Sequence, residues 1–398
     1  MAGVVPLTKT RLADLWREVK ERDSEEFWGD LKAESIRLVK EMLEVSLEEE
    51  MIYRLQASRY AHTPTRRGWR NGCYYRDVLW DQGLIANLRV PRARHRIEDS
   101  QLLERYRRRQ GEIDELVRQT FLAGVSTRRV GEVLAPILGQ SLSASTVSRI
   151  ASTLDREVGL FLSRQIEDRL VYLLLDGITL KVKTAGGVKK KLVLVAYGID
   201  ESGQRQIISF RLVQSESEAQ WEAFLNDLYR RGLEGKTLRL IVTDGCSGLQ
   251  RALDTVYPYV ERQLCWVHKL RNVARRLPRK IQKECLAGAR AIYLASTKRE
   301  ATHRFREWAN MWRSTVPKAV ECIEKDLEEL LTFLACPEAD WRKVRTTNAI
   351  ERAFREVRRR TRPMSCFNNA RSCQRVAFGV ISHLNSHWRE RPKSTHKS

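Results

Sequence analysis

No apolar stretch in the 398 residues approaches the roughly 18 that a membrane-spanning helix needs, so a bilayer-spanning chain is excluded at the level of sequence. The opening residues pass from a short apolar patch straight into charge and lack the apolar core of a secretory leader, and no membrane partner is expected. The 8 cysteines are scattered at 73, 246, 265, 285, 322, 336, 366 and 373, without the dense even spacing of a disulfide scaffold. They read as reduced thiols of a soluble, intracellular protein whose fold is not held by disulfides. Acid is scarce: 50 Asp and Glu face 72 Lys and Arg, a formal balance of +22. With 42% apolar residues the chain has material for real cores, and its length is that of two or three domains.

The excess charge is localised. Residues 1–60 carry a net −3, residues 61–110 a net +7 from 12 Arg and no Lys, and residues 341–398 a net +12. Two separate basic surfaces point to a nucleic-acid partner, because Lys and Arg release condensed counterions when they neutralise phosphates. General solubility charge is the blander alternative.

Residues 1–60 show helical apolar spacing (Ile36, Val39, Leu43) and read as a helical segment for dimerisation or DNA binding. Residues 61–110 read as a small β-meander rich in Arg, where Arg66, Arg67, Arg70 and Arg76 interleave with Trp69, Tyr74, Tyr75 and Trp80. That pattern suits a grip on a DNA backbone or equally a compact core with a solvated face. Residues 111–160 read as three short helices of helix-turn-helix type, punctuated at Gly124, Ser126 and Gly139, the last presenting Thr146, Ser148 and Arg149 to a major groove. Residues 165–270 then run strand, strand, strand, helix, strand, helix, the order of an RNase H-like α/β core with a mixed sheet and flanking helices. Residues 271–342 read as an α-helical insertion, 343–386 as the last helices of the core, with one long helix at about 348–362, and 387–398 as a basic tail.

Three carboxylates stand out. Asp176 ends the apolar run VYLLL and Asp244 ends LIVT, and each is followed by glycine. A charge beside so much apolar surface is costly unless it is paired or binds a metal, although Asp-Gly is also a common turn dipeptide. Glu351 lies among Arg352, Arg355, Arg358, Arg359 and Arg362 on an amphipathic helix. Its plain alternative is a capping box with Asn348, three residues earlier. Three acids suit Mg²⁺ or Mn²⁺, and two such ions about 4 Å apart promote phosphodiester displacement.

On RNGCYYRDV through LRVPRAR, FLAGVSTRRVGEVL, LLLDGITLKVK, VTDGCSGLQRAL, QLCWVHKLRNV and TTNAIERAFREVRRRTRPM, most of the chain resembles the mutator-type transposases of bacterial insertion sequences, DDE enzymes with an RNase H-like core. The resemblance implies catalytic, metal-holding Asp176, Asp244 and Glu351 with two ions per site. It places the family's Cys-x-x-His signature on Cys265 and His268, and the helical insertion between Asp244 and Glu351. It further implies terminal inverted repeats and target DNA as partners, a homodimer or larger assembly on paired ends, and a nucleoid-associated place in a bacterial cytoplasm. Cys265 and His268, with Trp266, are expected to support the active site. As half a zinc site they would need two more ligands at a readable spacing, and Cys285 and His303 offer none. Trp266 as a stacking platform for a displaced base is the other alternative. Lys269, Arg271, Arg352, Arg355, Arg358 and Arg359 are expected at phosphates. Two rivals stay open: a non-catalytic DNA-binding regulator derived from such an enzyme, and a nuclease that cuts without joining. A Ser or Tyr recombinase is disfavoured because no such nucleophile stands in a matching constellation.

Overall fold

The computed structural model describes residues 24–94, 100–103, 111–361 and 366–390, and in it the chain forms two compact units. The first comprises Met1–Phe121 and Val125–Ala151, the second Leu122–Gly124 and Ser152–Ser398. Residues 1–23 of the expected N-terminal segment, Arg362 and residues 391–398 of the expected tail lie outside the described residues.

In the first unit a long helix α1 (Ser24–Leu55) lies on a hairpin of β1 (Arg70–Trp80) and β2 (Gly83–Ala93). Ile36, Val39, Leu43 and Leu47 recur at helical spacing and meet Val78, Ile85, Leu88 and Val90 of the hairpin. Among the described residues the expected meander is this single antiparallel pair, with Asp81 and Gln82 as its two-residue turn. Three helices follow: α2 (Gly111–Leu122), α3 (Thr127–Leu138) and α4 (Ala144–Ser152). Gly139 ends α3 in the left-handed region (φ 72°), its N–H donating to Ala135 O at 2.9 Å. Gly131 is obligatory for another reason, since a Cβ there would sit 2.0 Å from the Leu142 carbonyl. On α4, Val147 and Ile150 are buried while Ser148 and Arg149 are exposed and Thr146 is half-buried.

The second unit is a mixed α/β body. After α5 (Leu154–Ser163), strands β3 (Leu170–Thr184), β4 (Gly187–Asp200) and β5 (Arg205–Val213) form an antiparallel meander. Helix α6 (Glu218–Arg230) leads to β6 (Leu240–Thr243), then α7 (Ser247–Val256) to β7 (Glu261–Leu264), both strands parallel to β3. The sheet order is β5-β4-β3-β6-β7. Residues 170–175 of β3 are all buried, as a central strand covered on both faces requires, whereas from Ile178 onward buried and exposed residues alternate. Trp221, Phe224, Leu225 and Leu228 of α6 pack with Leu249, Ala252 and Leu253 of α7 on one face of the sheet.

Helix α8 (Trp266–Ala274) follows β7, and then come the helices α9 (Arg279–Ile292), α10 (Lys298–Trp312), α11 (Pro317–Glu324), α12 (Leu327–Leu331) and α13 (Trp341–Val344). Helices α14 (Asn348–Thr361) and α15 (Ala370–Glu390) close the unit, and Asn385 of α15 pairs with both the amide and the carbonyl of Ile207 at the β5 edge. All eight cysteines are free thiols, and no described helix is long and apolar enough to cross a membrane.

Arg375 of α15 grips Asp155 of α5 with two hydrogen bonds of 2.6 Å. Arg375 holds the Asp155 carboxyl below its ordinary value of 3.8, chiefly through those bonds. An acid with a depressed folded pKa stabilises above its unfolded pKa and loses that stabilisation as pH falls through the folded one. Asp155→Asn should therefore lower the urea midpoint at pH 7, and the gap to the unmodified chain should close below about pH 4; a pH-independent gap would contradict the assignment.

Candidate active site

Strand register brings the two aspartates together. Tyr172, Leu173 and Leu174 of β3 pair in parallel with Leu240, Ile241 and Val242 of β6, and two residues further along each strand lie Asp176 and Asp244. A two-residue step returns a side chain to the same face, so both carboxylates leave the sheet on one side. They line a cavity of about 590 Å³ together with His268, Arg271 and Arg275 of the α8 region and Glu351 and Arg358 of α14. His268, Arg271 and Arg275 recur at three- and four-residue steps and thus share one helix face.

The two Asp-Gly dipeptides are different objects. Asp244-Gly245 is a genuine turn at the end of β6, with Gly245 at φ 86°. Asp176-Gly177 is not a strand end, as the sequence suggested: β3 runs on to Thr184 and Gly177 pairs with Leu194. The backbone at Gly177 passes close to Glu216: a Cβ there would stand 3.0 Å from Glu216 Oε1. Glu216, between β5 and α6, is a fourth carboxylate beside the site that sequence reasoning missed. Burial, with the charge of Asp244, raises its pKa. The glycine after Asp176 was the one available signal.

Asp176 is only 4% exposed. Its Oδ1 accepts the Gly177 N–H at 2.8 Å, while Oδ2 is buried with no hydrogen-bond partner. Burial, opposed by His268 and reinforced by the Asp244 charge, pushes its pKa up to about 6. Asp244 Oδ1 accepts the Cys246 N–H at 2.9 Å. Glu351 does not form the capping box: both its oxygens face Arg271, at 2.5 and 3.0 Å, and His268 Nε2 lies 3.5 Å away. The Arg271 hydrogen bonds hold the Glu351 carboxyl below the usual carboxylate range.

His268 lines the cavity with the acids, and Cys265, which precedes it in the same turn, is buried. Thr347, fully buried and absent from the sequence-based expectations, donates its N–H to Cys265 Sγ at 3.3 Å, and its hydroxyl lies 3.4 Å from His268 Nδ1. The Cys265 sulfur, then the charges of Asp176 and Asp244, raise the His268 pKa to about 9 against the opposing effect of burial. Among the described residues no three His, Cys, Asp or Glu side chains stand close enough to hold a metal as they are, for zinc or for the acids. Cys285 donates nothing to such a site; it is buried with its carbonyl on Trp308, and His303 pairs with Glu307.

The expected phosphate contacts are redistributed. Lys269 is corrected: it lies two residues before Arg271, hence on the opposite face of α8, buried and paired with Asp326. Trp266 is fully buried, its indole N–H on the Leu330 carbonyl at 2.7 Å, which leaves no face for stacking a base. Arg66 stacks on Trp69 at 4.0 Å and donates to the Gly68 and Ala61 carbonyls, and Arg70 pairs with Glu48 at 2.7 Å, so both serve their own module. Arg67 is exposed and Arg76 half-buried. Arg355 is exposed on α14 near the cavity-lining Arg358, Arg359 pairs with Glu356, and Arg352 projects away from the acid cavity.

The sequence pattern of the family described as "Transposase, Mutator family" matches residues 10–391. The chain is 35% identical to the transposase for insertion sequence element ISRM5 of Rhizobium meliloti, over 89% of this chain and 88% of that protein. It is 35% identical to the transposase for IS406 of Burkholderia multivorans, over 84% and 86%. It is 29% identical to the transposase for IS256 in transposon Tn4001 of Staphylococcus aureus, over 86% and 87%.

Proposed function

Because the chain belongs to the mutator family of transposases, we propose that it recognises the terminal inverted repeats of an insertion sequence and cuts and rejoins DNA at Asp176, Asp244 and Glu351. The observation that carries this reading is the pair of in-register aspartates, one with a buried oxygen lacking a donor, in a cavity that they share with Glu351 and with His268, Arg271, Arg275 and Arg358. A buried anionic oxygen without a partner is expensive, and a hard divalent cation satisfies it. Asp176 and Asp244 fit Mg²⁺ or Mn²⁺ by donor type, and Glu351, held by Arg271 in this structure, would complete the set if released from that pair. Two ions so held would activate the attacking oxygen and stabilise the departing one.

The chain's own contribution is positional and electrostatic. His268, raised well above neutrality, with Arg275 and Arg358, offers cations to the phosphate oxygens of a strand entering the cavity. Arg271 holds Glu351 until a phosphate competes for its guanidinium, which suits a fork built for either oxyanion. Water opens one phosphodiester, leaving a 3′-hydroxyl; that hydroxyl attacks a second phosphodiester and displaces its 3′-oxygen, with no covalent protein intermediate. The three-plus-two strand order flanked by helices supports an RNase H-like core interrupted between Asp244 and Glu351 by α9 to α12. Outward Ser148 and Arg149 on α4 support a recognition helix, and joining two ends calls for at least two copies.

The test is incubation of the purified chain with a labelled duplex carrying the repeats that flank its gene. Mg²⁺-dependent nicking followed by joined products is the expected result. Binding without nicking would leave a regulator, and nicking without joining a nuclease; either outcome overturns the proposal.

A further inference from the structure

Helix α14 divides two cavities. Glu351 and Arg352 are consecutive, about 100° apart around the helix axis, and while Glu351 faces the acid cavity, Arg352 faces another of about 500 Å³. The second cavity is lined by Arg205 of β5, Tyr293, Arg342, Arg345 and Arg352, with Lys343 at its wall. Lys343 is paired with Asp340 at 2.6 Å. Among the described residues, no carboxylate stands within ion-pair distance of the four arginines. Aromatic faces hold two of them in place of acids: the Arg345 guanidinium lies 4.9 Å from the centre of the Tyr293 ring, and that of Arg205 lies 5.4 Å from the centre of the Trp388 ring. Stacking engages the guanidinium plane; Arg345 Nη1 also donates to the Tyr293 carbonyl at 3.5 Å, which leaves the rest of that fork for an anion. Arg345 is half-buried, and burial together with the neighbouring Arg342 cation depresses its pKa despite the opposing pull of Tyr293. Four cations converging on a concave surface without a counter-charge repel one another, a cost that a bound oxyanion relieves.

We propose that this cavity is a second DNA-backbone site, in which Arg342, Arg345, Arg205 and Arg352 grip phosphodiester oxygens of a strand on a different flank of α14 from the acid cavity. The guanidinium fork matches the paired oxygens of a phosphodiester. The cavity volume lies within the range of about 300–1,000 Å³ that takes small organic groups, so a phosphate with its sugar enters. DNA that fills both cavities straddles α14, which fixes Glu351 against the strand being cut and keeps a second stretch of backbone at hand. This inference rests on the proposed function, because it takes DNA as the source of the phosphate.

The experiment uses the full chain and a short fluorescent duplex of mixed sequence, with affinity read by anisotropy over a salt series. Each phosphate contact contributes about 0.9 to the slope of log affinity against log salt. Arg342→Gln with Arg345→Gln should lower that slope by roughly one to two and weaken binding, whereas Lys280→Gln with Arg299→Gln, exposed on other helices, should leave it unchanged. Arg342→Glu, at an exposed position, repeats the measurement if the double variant melts early. An unchanged slope in a folded variant overturns the proposal. So does protection of the unmodified chain against melting by inorganic pyrophosphate that the double variant loses while its DNA slope is unaltered, since the cavity would then take a free phosphate. Mg²⁺-dependent nicking is read on the same preparations. A reduced slope with no nicking by the unmodified chain sinks the catalytic reading alone, and normal nicking with an unchanged slope sinks this one alone.

Discussion

Asp176→Asn is expected to lower Mg²⁺-dependent strand cutting by on the order of 10³ or more, equivalent to about 4 kcal/mol of barrier, while leaving the fold as stable as before or more so. The two halves of that expectation have one cause. Asp176 is 4% exposed, one of its oxygens lacks a donor, and burial raises its pKa to about 6. An acid whose folded pKa is raised destabilises the fold increasingly as pH rises from its unfolded pKa through the folded one. At pH 7 the charge is therefore a burden to the fold, and the amide removes it. Asp244→Asn and Glu351→Gln should also abolish cutting, and Glu351→Gln additionally gives up the charged pair with Arg271. Single-turnover cleavage and thermal melting on the same preparations decide the matter. Retained cutting in a folded Asp176→Asn chain removes Asp176 from the site, and a large loss of melting temperature would make its role structural.

Trp221→Ala should cost about 3–5 kcal/mol, the range expected for truncating a fully buried tryptophan. The indole is fully buried on α6 among residues of the sheet and α7, and 6.1 Å separates its ring from that of Phe224. Truncation leaves a cavity that the surrounding β3 and β6 side chains cannot fill without distorting the strands that carry Asp176 and Asp244. It also removes the N–H that Glu216 Oε1 accepts at 3.3 Å, leaving that carboxylate beside the site with one donor fewer. Urea unfolding followed by far-ultraviolet circular dichroism measures the loss, with Tyr259→Ala, at a 98% exposed position, as the comparison expected to fall within about 0.5 kcal/mol of the unmodified chain. A shift below about 1 kcal/mol for Trp221→Ala would show that the site is held by something other than this core.

Much of the second unit was legible from local pattern. The unbroken run through Leu175 marked a central strand, and the charged interval before Asn348 with its spaced apolar residues marked a run of helices. The helix beginning near residue 348 was visible in the apolar spacing of Ile350, Phe354 and Val357. The first unit was less legible, since alternating residues with interspersed glycines specify strands but not how many pair. Side-chain fate was the least legible of all. Lys269 and Arg271 read alike in sequence, yet α8 turns them to opposite faces, one onto Asp326 and the other onto Glu351. Arg66 and Arg70 read as DNA contacts and are held by Trp69 and Glu48.

The excess of positive charge, the strand and helix periodicities and the candidate acids were all readable from the order of residues, because these depend on residue identity and short spacing. Tertiary structure alone decided that β3 and β6 align Asp176 with Asp244, that Arg271 rather than Asn348 holds Glu351, and that α14 parts an acidic cavity from a basic one. Those outcomes depend on strand register and on partners some 80 positions apart in the chain, and long-range packing, which sets both, leaves no mark in any short stretch of residues.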